Sequence, residues 1–151
     1  MKQFGPRLKI LHCRTDRAIT GALAQMDLTA AQGHILAYLA RQSQPPCPRD
    51  LEEAFRLRHS TVSGLLTRLE KKGFVAVVPD REDRRCKRVS LLPRGQDCVQ
   101  RLGEEISAIE QTMVRDFTEE DKERFRILLD RAIENLGGIP QNPCQQEDNT
   151  V

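Results

Sequence analysis

The segment between residues 59 and 95 combines three structural signals in a fixed order. It begins His59-Ser-Thr-Val-Ser-Gly-Leu-Leu-Thr-Arg-Leu-Glu-Lys-Lys-Gly73, continues Phe74-Val-Ala-Val-Val-Pro79 and ends Asp80-Arg-Glu-Asp-Arg-Arg-Cys-Lys-Arg-Val-Ser-Leu-Leu-Pro-Arg-Gly95. The first piece has apolar residues at helical spacing and stops at a glycine, which commonly ends a helix in the left-handed conformation. The other two pieces contain short β-like runs, Phe74 to Val78 and Arg88 to Leu92, separated by nine residues of which seven are charged.

This order of helix, strand, charged turn and strand predicts a winged helix-turn-helix, in which the helix enters DNA and the hairpin grips beside it. Four apolar side chains recur at i, i+3, i+4 and i+7 along the helix and would face the protein: Val62, Leu65, Leu66 and Leu69. The helix itself is predicted from about His59 to Lys72.

The opposite face of this helix is predicted to contact double-stranded DNA. It carries Arg58, His59, Ser60, Thr61, Ser63, Gly64, Thr67 and Arg68. The short hydroxyl side chains can bond base edges or phosphates in a major groove about 12 Å wide, and Gly64 allows close approach. Arg58 and His59 stand at the helix N-terminus, where the helix dipole favours phosphate. The alternative is a polar helix face that meets only solvent.

The charged turn between the two β runs is the predicted wing. Its candidate DNA-contacting residues are Arg81, Asp83, Arg84, Arg85, Lys87 and Arg88. Arginines on a narrow finger suit the negative potential of a minor groove, and Asp83 could pair with Arg85 and hold it extended. The alternative is a solvated turn whose surface ion pairs contribute at most ~1 kcal/mol. The helix that precedes the turn favours the DNA interpretation.

The rest of the chain reads as helices, so the predicted fold class is mainly α with a small β-hairpin wing. Pro6 suits the start of a first helix that ends near Met26, and a capping box of Thr29 and Gln32 opens a second helix. A short helix covers Arg49 to Phe55. Pro93 opens a long helix, and Thr118 with Asp121 caps the last one.

Four regions follow from these elements: an N-terminal dimerisation helix at 1–28, a DNA-binding lobe at 29–94, C-terminal dimerisation helices at 95–138 and a disordered tail at 139–151. The terminal helices carry long apolar stripes that find little partner surface within a 151-residue chain. We therefore expect a second copy to cover them. A monomer that buries these stripes internally is the alternative.

Composition restricts the class of protein further. The hydrophobic fraction is 38%, without the ~18-residue apolar run of a membrane span or the features of a signal peptide, so a cytoplasmic location is expected. The five cysteines are widely spaced with no CxxC, which argues against a disulfide framework or a zinc site. The aromatic fraction is 4%, too little to favour base stacking on single strands. No catalytic spacing or phosphate-binding glycine loop is present, so neither an enzyme nor a cofactor is expected.

Charge is distributed unevenly along a chain whose net charge is only +2. Residues 1–48 hold six basic and two acidic residues, and residues 49–94 hold twelve and seven. Residues 95–151 hold six basic and thirteen acidic residues. The basic middle marks one surface for an anionic partner, and the acidic C-terminal third should face away from it.

Taken together, these residues resemble the MarR family of winged-helix regulators. The matching pieces are Leu28-Thr-x-x-Gln32, Ser60-Thr-Val-Ser with Leu69-Glu-Lys-Lys-Gly73-Phe74-Val, and Asp83-Arg-Arg85 with Val89-Ser-Leu91 and Gly95. The resemblance implies a homodimeric transcriptional regulator on a near-palindromic operator, with repression favoured over activation. It also implies that Arg85 enters the minor groove. Leu92 stands where many members have a helix-capping Thr, and Pro93 can compensate as a first-turn residue.

The resemblance further implies release from DNA by a small phenolic or anionic effector, bound in the crevice between the dimer helices and the lobe. Candidate contacts are His12 and Arg17 on the first helix and His34 and Tyr38 on the second. For each of them the alternative is an ordinary surface or core-edge residue.

Two alternatives to effector release stay open. One branch of the family senses hydroperoxides through a first-helix cysteine, and Cys13 lies in that region beside His12. That branch also uses several tyrosines and this chain has one, so a half-buried, unreactive Cys13 is the competing interpretation. In a different class, the winged helix would serve only as a protein-interaction module without specific DNA binding.

Overall fold

The computed structural model describes residues 3–137 and confirms a mainly helical fold with one antiparallel hairpin. The elements are α1 (Gly5–Gln25), α2 (Ala30–Arg41), α3 (Pro48–Phe55), α4 (His59–Lys71), β1 (Val75–Pro79), β2 (Lys87–Leu91), α5 (Pro93–Met113) and α6 (Glu119–Gly137). The two strands lie one residue away from their predicted positions, and α4 ends one residue early. Residues up to Glu110 form one compact unit, and residues from Gln111 form a second.

Local sequence signals set the ends of the helices. The predicted capping box is confirmed, because Thr29 Oγ1 accepts the Gln32 N–H at 3.3 Å and Gln32 Oε1 accepts the Thr29 N–H at 3.1 Å. Gly73 has φ +76, the left-handed conformation that ends α4. Arg56 adopts φ 52 in the turn between α3 and α4, a conformation uncommon for a residue with a Cβ.

The core of the first unit forms where α2, α3 and α4 meet the hairpin. The predicted inward stripe of α4 is confirmed, since its four members, Val62, Leu65, Leu66 and Leu69, are all buried. Leu51 of α3 and Val75 of β1 are fully inaccessible to solvent. Leu69 is equally buried. Because the apolar stripe of α4 packs into this core, the polar face of the helix points outward.

The hairpin is tied to both of its neighbours. Its register pairs Val75 with Leu91 and Pro79 with Lys87. Glu70 at the end of α4 accepts the Val77 N–H of β1 at 3.0 Å. On the other edge, the Val89 N–H donates to the Pro46 carbonyl in the α2–α3 linker at 2.8 Å. These bonds connect the wing to α4 on one side and to the linker on the other.

The second unit is dominated by α6, whose predicted cap is confirmed. Thr118 Oγ1 accepts the Asp121 N–H at 3.1 Å, and an Asp121 carboxylate oxygen accepts the Thr118 N–H at 3.2 Å. No residue of α6 is buried, and Leu128, Ile133 and Leu136 are 54%, 68% and 63% exposed. The predicted tail at 139–151 lies outside the described residues.

None of the helices within residues 3–137 is long and apolar enough to cross a membrane.

Candidate nucleic-acid interface

The outer face of α4 is exposed to solvent. Ser60, Thr61, Ser63, Thr67 and Arg68 are exposed there, opposite the buried stripe. At Gly64 on the same face, a methyl group replacing the hydrogen would have no atom within 4 Å. This face therefore presents small hydroxyl groups and bare backbone, which a double-stranded groove can approach closely.

The N-terminus of α4 has no side-chain cap. Arg58 is its N-cap residue, and the Thr61 and Val62 N–H groups return to the Arg58 carbonyl. Arg58 and His59 are both exposed, as a phosphate-facing role requires. His59 Nδ1 lies 2.7 Å from Glu52 Oε1 of α3, so this bond orients the ring and leaves Nε2 on its other side. Uncapped N–H groups beside an arginine suit an anion.

The wing loop is organised by two aspartates bound mainly to its backbone. Asp83 Oδ1 accepts the Arg85 N–H at 3.0 Å, and Asp80 Oδ1 accepts the Glu82 N–H at 2.7 Å. The predicted side-chain pair of Asp83 and Arg85 is therefore wrong: the acid holds the backbone of Arg85 and not its guanidinium. The reason is local, because an aspartate in a tight turn reaches the N–H two residues ahead more readily than a long side chain.

Four of the six predicted wing residues leave their positive charge available. Arg81, Arg84, Arg85 and Lys87 are exposed, and within residues 3–137 none has a carboxylate within 4.0 Å of its charged nitrogens. Arg88 differs, since its Nε donates to Asp80 Oδ2 and its Nη1 lies 3.4 Å from the Pro45 carbonyl. The pKa of the Asp80 carboxyl is lowered to about 2, first by the hydrogen bond from Arg88 and then by the Glu82 and Asp83 amides.

The helix face and the wing meet in one concavity of about 580 Å³. Ser63 and Thr67 of α4 line one side of it, and Arg85 and Lys87 of the wing line the other. Sequence alone placed these residues on separate elements, and the fold brings them onto one surface. The concavity thus brings the hydroxyl groups of α4 and the free cations of the wing onto the same side of the lobe, although Thr67 Oγ1 donates its proton to the Ser63 carbonyl at 2.8 Å and is left as an acceptor.

The four effector candidates do not converge. His12 and Arg17 line one shallow concavity along α1, together with Cys13. Tyr38 packs edge-on against Phe55 with ring centroids 5.5 Å apart and borders a different concavity, and His34 is exposed. Tyr38 therefore lies on a different concavity from His12 and Arg17.

The environment of Cys13 differs from one of its two expected forms. Cys13 is exposed, so the interpretation of a half-buried thiol is wrong. Cys86 is exposed in the wing, and its hydrogen bond to the Asp83 carboxylate raises the pKa of its thiol. Burial raises the pKa of the Cys98 thiol. No group of three or more metal-ligating side chains comes together within residues 3–137.

Sequence reasoning missed three acidic residues that shape the interface. Glu52 binds His59, Glu70 holds β1 against α4, and Asp80 organises the wing. Asp80 alone carried a usable signal, because an aspartate that begins a turn commonly accepts N–H groups two and three residues ahead. The partners of Glu52 and Glu70 are seven residues away and depend on tertiary packing.

Comparison with known proteins agrees with this geometry. The MarR family model matches residues 26–85. The regulator PecS of Dickeya dadantii is 32% identical over 123 residues, which cover 80% of this chain and 74% of PecS. The chain therefore belongs to the MarR family of winged-helix transcriptional regulators.

Solved structures of the Staphylococcus aureus regulator MepR share the fold. One is 27% identical with a TM-score of 0.81, covering 89% of this chain and 99% of MepR. A MepR–DNA complex is 28% identical with a TM-score of 0.69, covering 90% of this chain and all of the MepR chain. DNA binding is thus the activity of a similar protein of the same fold.

Proposed function

We propose that this protein is a homodimeric repressor that binds a near-palindromic operator, one winged-helix lobe to each half-site. The observation that carries the proposal is the shared concavity in which α4 hydroxyls face free wing cations. In this arrangement Ser63 and Thr67 contact base edges in the major groove, and Arg85 enters the adjacent minor groove. Arg58 and the uncapped start of α4 hold a phosphate.

Two polar clusters complete the proposed contact surface. Ser60, Thr61 and Arg68 extend the α4 face on either side of Gly64, and Arg81, Arg84 and Lys87 line the finger around Arg85. The side chains of the α4 face distinguish bases, whereas the cations of the wing mostly neutralise phosphate. Specificity should therefore depend on α4, and salt dependence on the wing.

The apolar surface that each unit leaves uncovered supports the proposed dimer. Phe4, which precedes α1, and Leu8 and Ile10 within it are 75%, 46% and 54% exposed, and α6 buries no residue. Exposed apolar surface of this extent on long helices marks an interface. We assign residues 1–28 and 95–138 to dimerisation and residues 29–94 to DNA binding.

The direct test is selection of bound duplexes from a random pool, followed by binding measurements across salt concentrations. An enriched inverted repeat with half-site centres about 10 base pairs apart, or a multiple of that spacing, is the expected result. Steep salt dependence should accompany it. Without enrichment, and with weak binding lost at physiological salt, the protein-interaction alternative would replace the proposal.

Sedimentation equilibrium tests the dimer separately from DNA. Leu128→Asp should shift the protein toward monomer, because a carboxylate in an apolar interface is costly. Val78→Asp is the matched control, since Val78 is also exposed, at 47%, but lies on the hairpin. If both variants stay dimeric, α6 does not form the interface.

Release by a small phenolic or anionic effector completes the proposal. His12 and Arg17 line one concavity, so they are the pair that could hold an anion together. Tyr38 and His34 would require a separate site. Salicylate is a suitable probe: it should weaken operator binding by the wild type, and His12→Ala with Arg17→Ala should abolish that response while preserving binding without the probe.

Exposure of Cys13 beside His12 and Arg17 favours a thiol sensor as the second candidate. Treatment with an organic hydroperoxide separates the two. If hydroperoxide treatment abolishes operator binding by both the wild type and Cys13→Ser, this cysteine is not the sensor. If the treatment abolishes binding by the wild type but not by Cys13→Ser, Cys13 is the sensor.

A further inference from the structure

The base of the wing is a closed hydrogen-bond network around Asp80, just beyond the paired ends of the strands. The Asp80 N–H donates to the Cys86 carbonyl at 2.8 Å, which closes the loop. Its Oδ1 accepts the Glu82 and Asp83 N–H groups at 2.7 and 3.2 Å. Its Oδ2 accepts Arg88 Nε. The Asp80 carboxylate therefore binds the first residues of the wing loop and Arg88 of β2 at the same time.

Arg88 extends this network to the α2–α3 linker. Its Nη1 donates to the Pro45 carbonyl at 3.4 Å, and the neighbouring Val89 N–H donates to the Pro46 carbonyl at 2.8 Å. The two prolines restrict the linker backbone, so it is a stiff anchor. The wing is thereby tied to the segment that joins α2 to α3, as well as to α4.

The same contacts remove Arg88 from the set of free cations. Its side chain is 44% exposed and the Asp80 side chain is 15% exposed, so the pair is half covered. Contact with a phosphate would require the guanidinium to leave both Asp80 and Pro45. The other wing cations have no such partner within the described residues.

We propose that Asp80 and Arg88 are positioning residues that set the angle of the wing relative to α4, and that Arg88 itself contacts neither base nor phosphate. This inference rests on the proposed DNA binding and deepens it. Its physical basis is preorganisation, because a finger held in its bound geometry loses less conformational entropy when it enters a groove. The hydrogen bond from Arg88 and the two loop amides lower the pKa of the Asp80 carboxyl to about 2, as expected for a carboxylate held by these partners.

The sign of the Asp80→Ala effect distinguishes positioning from simple electrostatics. Removing an acid near phosphates should tighten DNA binding if charge alone matters. Positioning predicts the opposite, an affinity about 10-fold lower, since two loop N–H groups and Arg88 lose their acceptor. Glu82→Ala is the matched control: it removes an acid from the same loop whose side chain has no hydrogen-bond partner within residues 3–137, so its binding should be unchanged or tighter.

Arg88→Lys tests the second half of the proposal. Lysine keeps the charge but cannot hold Asp80 through Nε and Pro45 through Nη1 together. We expect weaker binding with an unchanged slope of log K against log salt, and little further loss when Asp80→Ala is added. If Arg88 instead contacted a phosphate, Arg88→Lys would keep that contact and bind nearly as well as the wild type. Arg88→Gln would lose it, and the magnitude of the slope would fall by about 0.9 per protomer.

The binding measurements use the full-length protein on its selected operator, with a thermal melt to verify that each variant is folded. Weaker binding by a folded Asp80→Ala protein and non-additivity with Arg88→Lys would support the proposal. Equal or tighter binding by Asp80→Ala would overturn it while leaving the DNA-binding function intact. Failure of the wild type to bind any duplex would instead remove the proposed function on which the inference depends.

Discussion

Two glycines on helices should respond in opposite directions to the same substitution. Gly95 lies in the first turn of α5, where an added Cβ would be 2.3 Å from the Phe74 carbonyl oxygen and 2.9 Å from Leu91 Cδ2. Gly64 lies on the outer face of α4, where an added Cβ would meet nothing within 4 Å. Replacing each by alanine therefore compares the same methyl group in a crowded and an open setting.

The expected magnitudes follow from these surroundings. For Gly95→Ala, the obstructing atom belongs to the backbone and cannot rotate away, so overpacking of about 1–3 kcal/mol is expected. The Phe74 carbonyl oxygen also accepts the Leu92 N–H at 3.0 Å. Displacing this oxygen would weaken that hydrogen bond and cost up to about 1 kcal/mol more. The higher helix propensity of alanine relative to glycine offsets this loss by up to about 1 kcal/mol. Gly95→Ala should thus lower the free energy of unfolding by about 1–3 kcal/mol, whereas Gly64→Ala should raise it by up to about 1 kcal/mol.

Equilibrium unfolding in urea measures both changes. The two variants must be compared at one protein concentration, because association adds to apparent stability. An unchanged m-value would show that the unfolded reference is the same. If the midpoint of Gly95→Ala stayed at the wild-type value or rose, the close contact of Gly95 with Phe74 would not control α5. Gly64→Ala should also bind the operator more weakly despite its greater stability, because the methyl group occupies space that the groove needs.

Three further predictions concern the interface. Arg85→Ala should reduce the slope of log K against log salt by about 0.9 per protomer with a small change in sequence preference, and a slope equal to wild type would remove Arg85 from the interface. Thr67→Val should change base preference at one position of each half-site by ~1–3 kcal/mol, whereas an equal loss on all duplexes would indicate a phosphate contact only. Asp83→Asn should speed alkylation of Cys86 at pH 8, measured by mass spectrometry, because Asp83 raises the pKa of that thiol and its removal increases the thiolate fraction. An unchanged rate would show that Asp83 does not control this thiol.

The elements of the fold were predictable because their signals are local. Helical spacing of Val62 and Leu69 identified the buried face of α4, and Gly73 marked its end. The wing appeared as a charged turn between β runs, with strand positions correct to one residue. What sequence could not supply was the partner of each charged side chain, as the error over Asp83 and Arg85 illustrates. The partners of Glu52 and Glu70 depend on tertiary packing, which the local sequence does not determine.

The effector candidates failed to converge for a related reason. Helical periodicity places His12 and Arg17 on α1 and Tyr38 on α2, but it does not say how the two helices rotate about their axes. In the structure Tyr38 turns toward Phe55, whereas His12 and Arg17 share a concavity elsewhere. To predict a binding site formed by two helices, the orientation of each helix about its axis must be known. Residue type alone was therefore insufficient to define the site.

The electrostatics of the lobe show how the internal partners change a charge count. Residues 49–94 carry twelve basic side chains, but several are engaged within the protein: Arg49 with Glu53, Lys72 with Asp27, and Arg88 with Asp80. Arg94 likewise lies over the Phe74 ring and donates to the Lys72 carbonyl. Cations with internal partners release fewer counterions on binding DNA, so the salt slope should follow the number of free cations on α4 and the wing. Net charge indicates which part of the chain faces DNA, whereas hydrogen-bond partners decide which of its side chains can contact it.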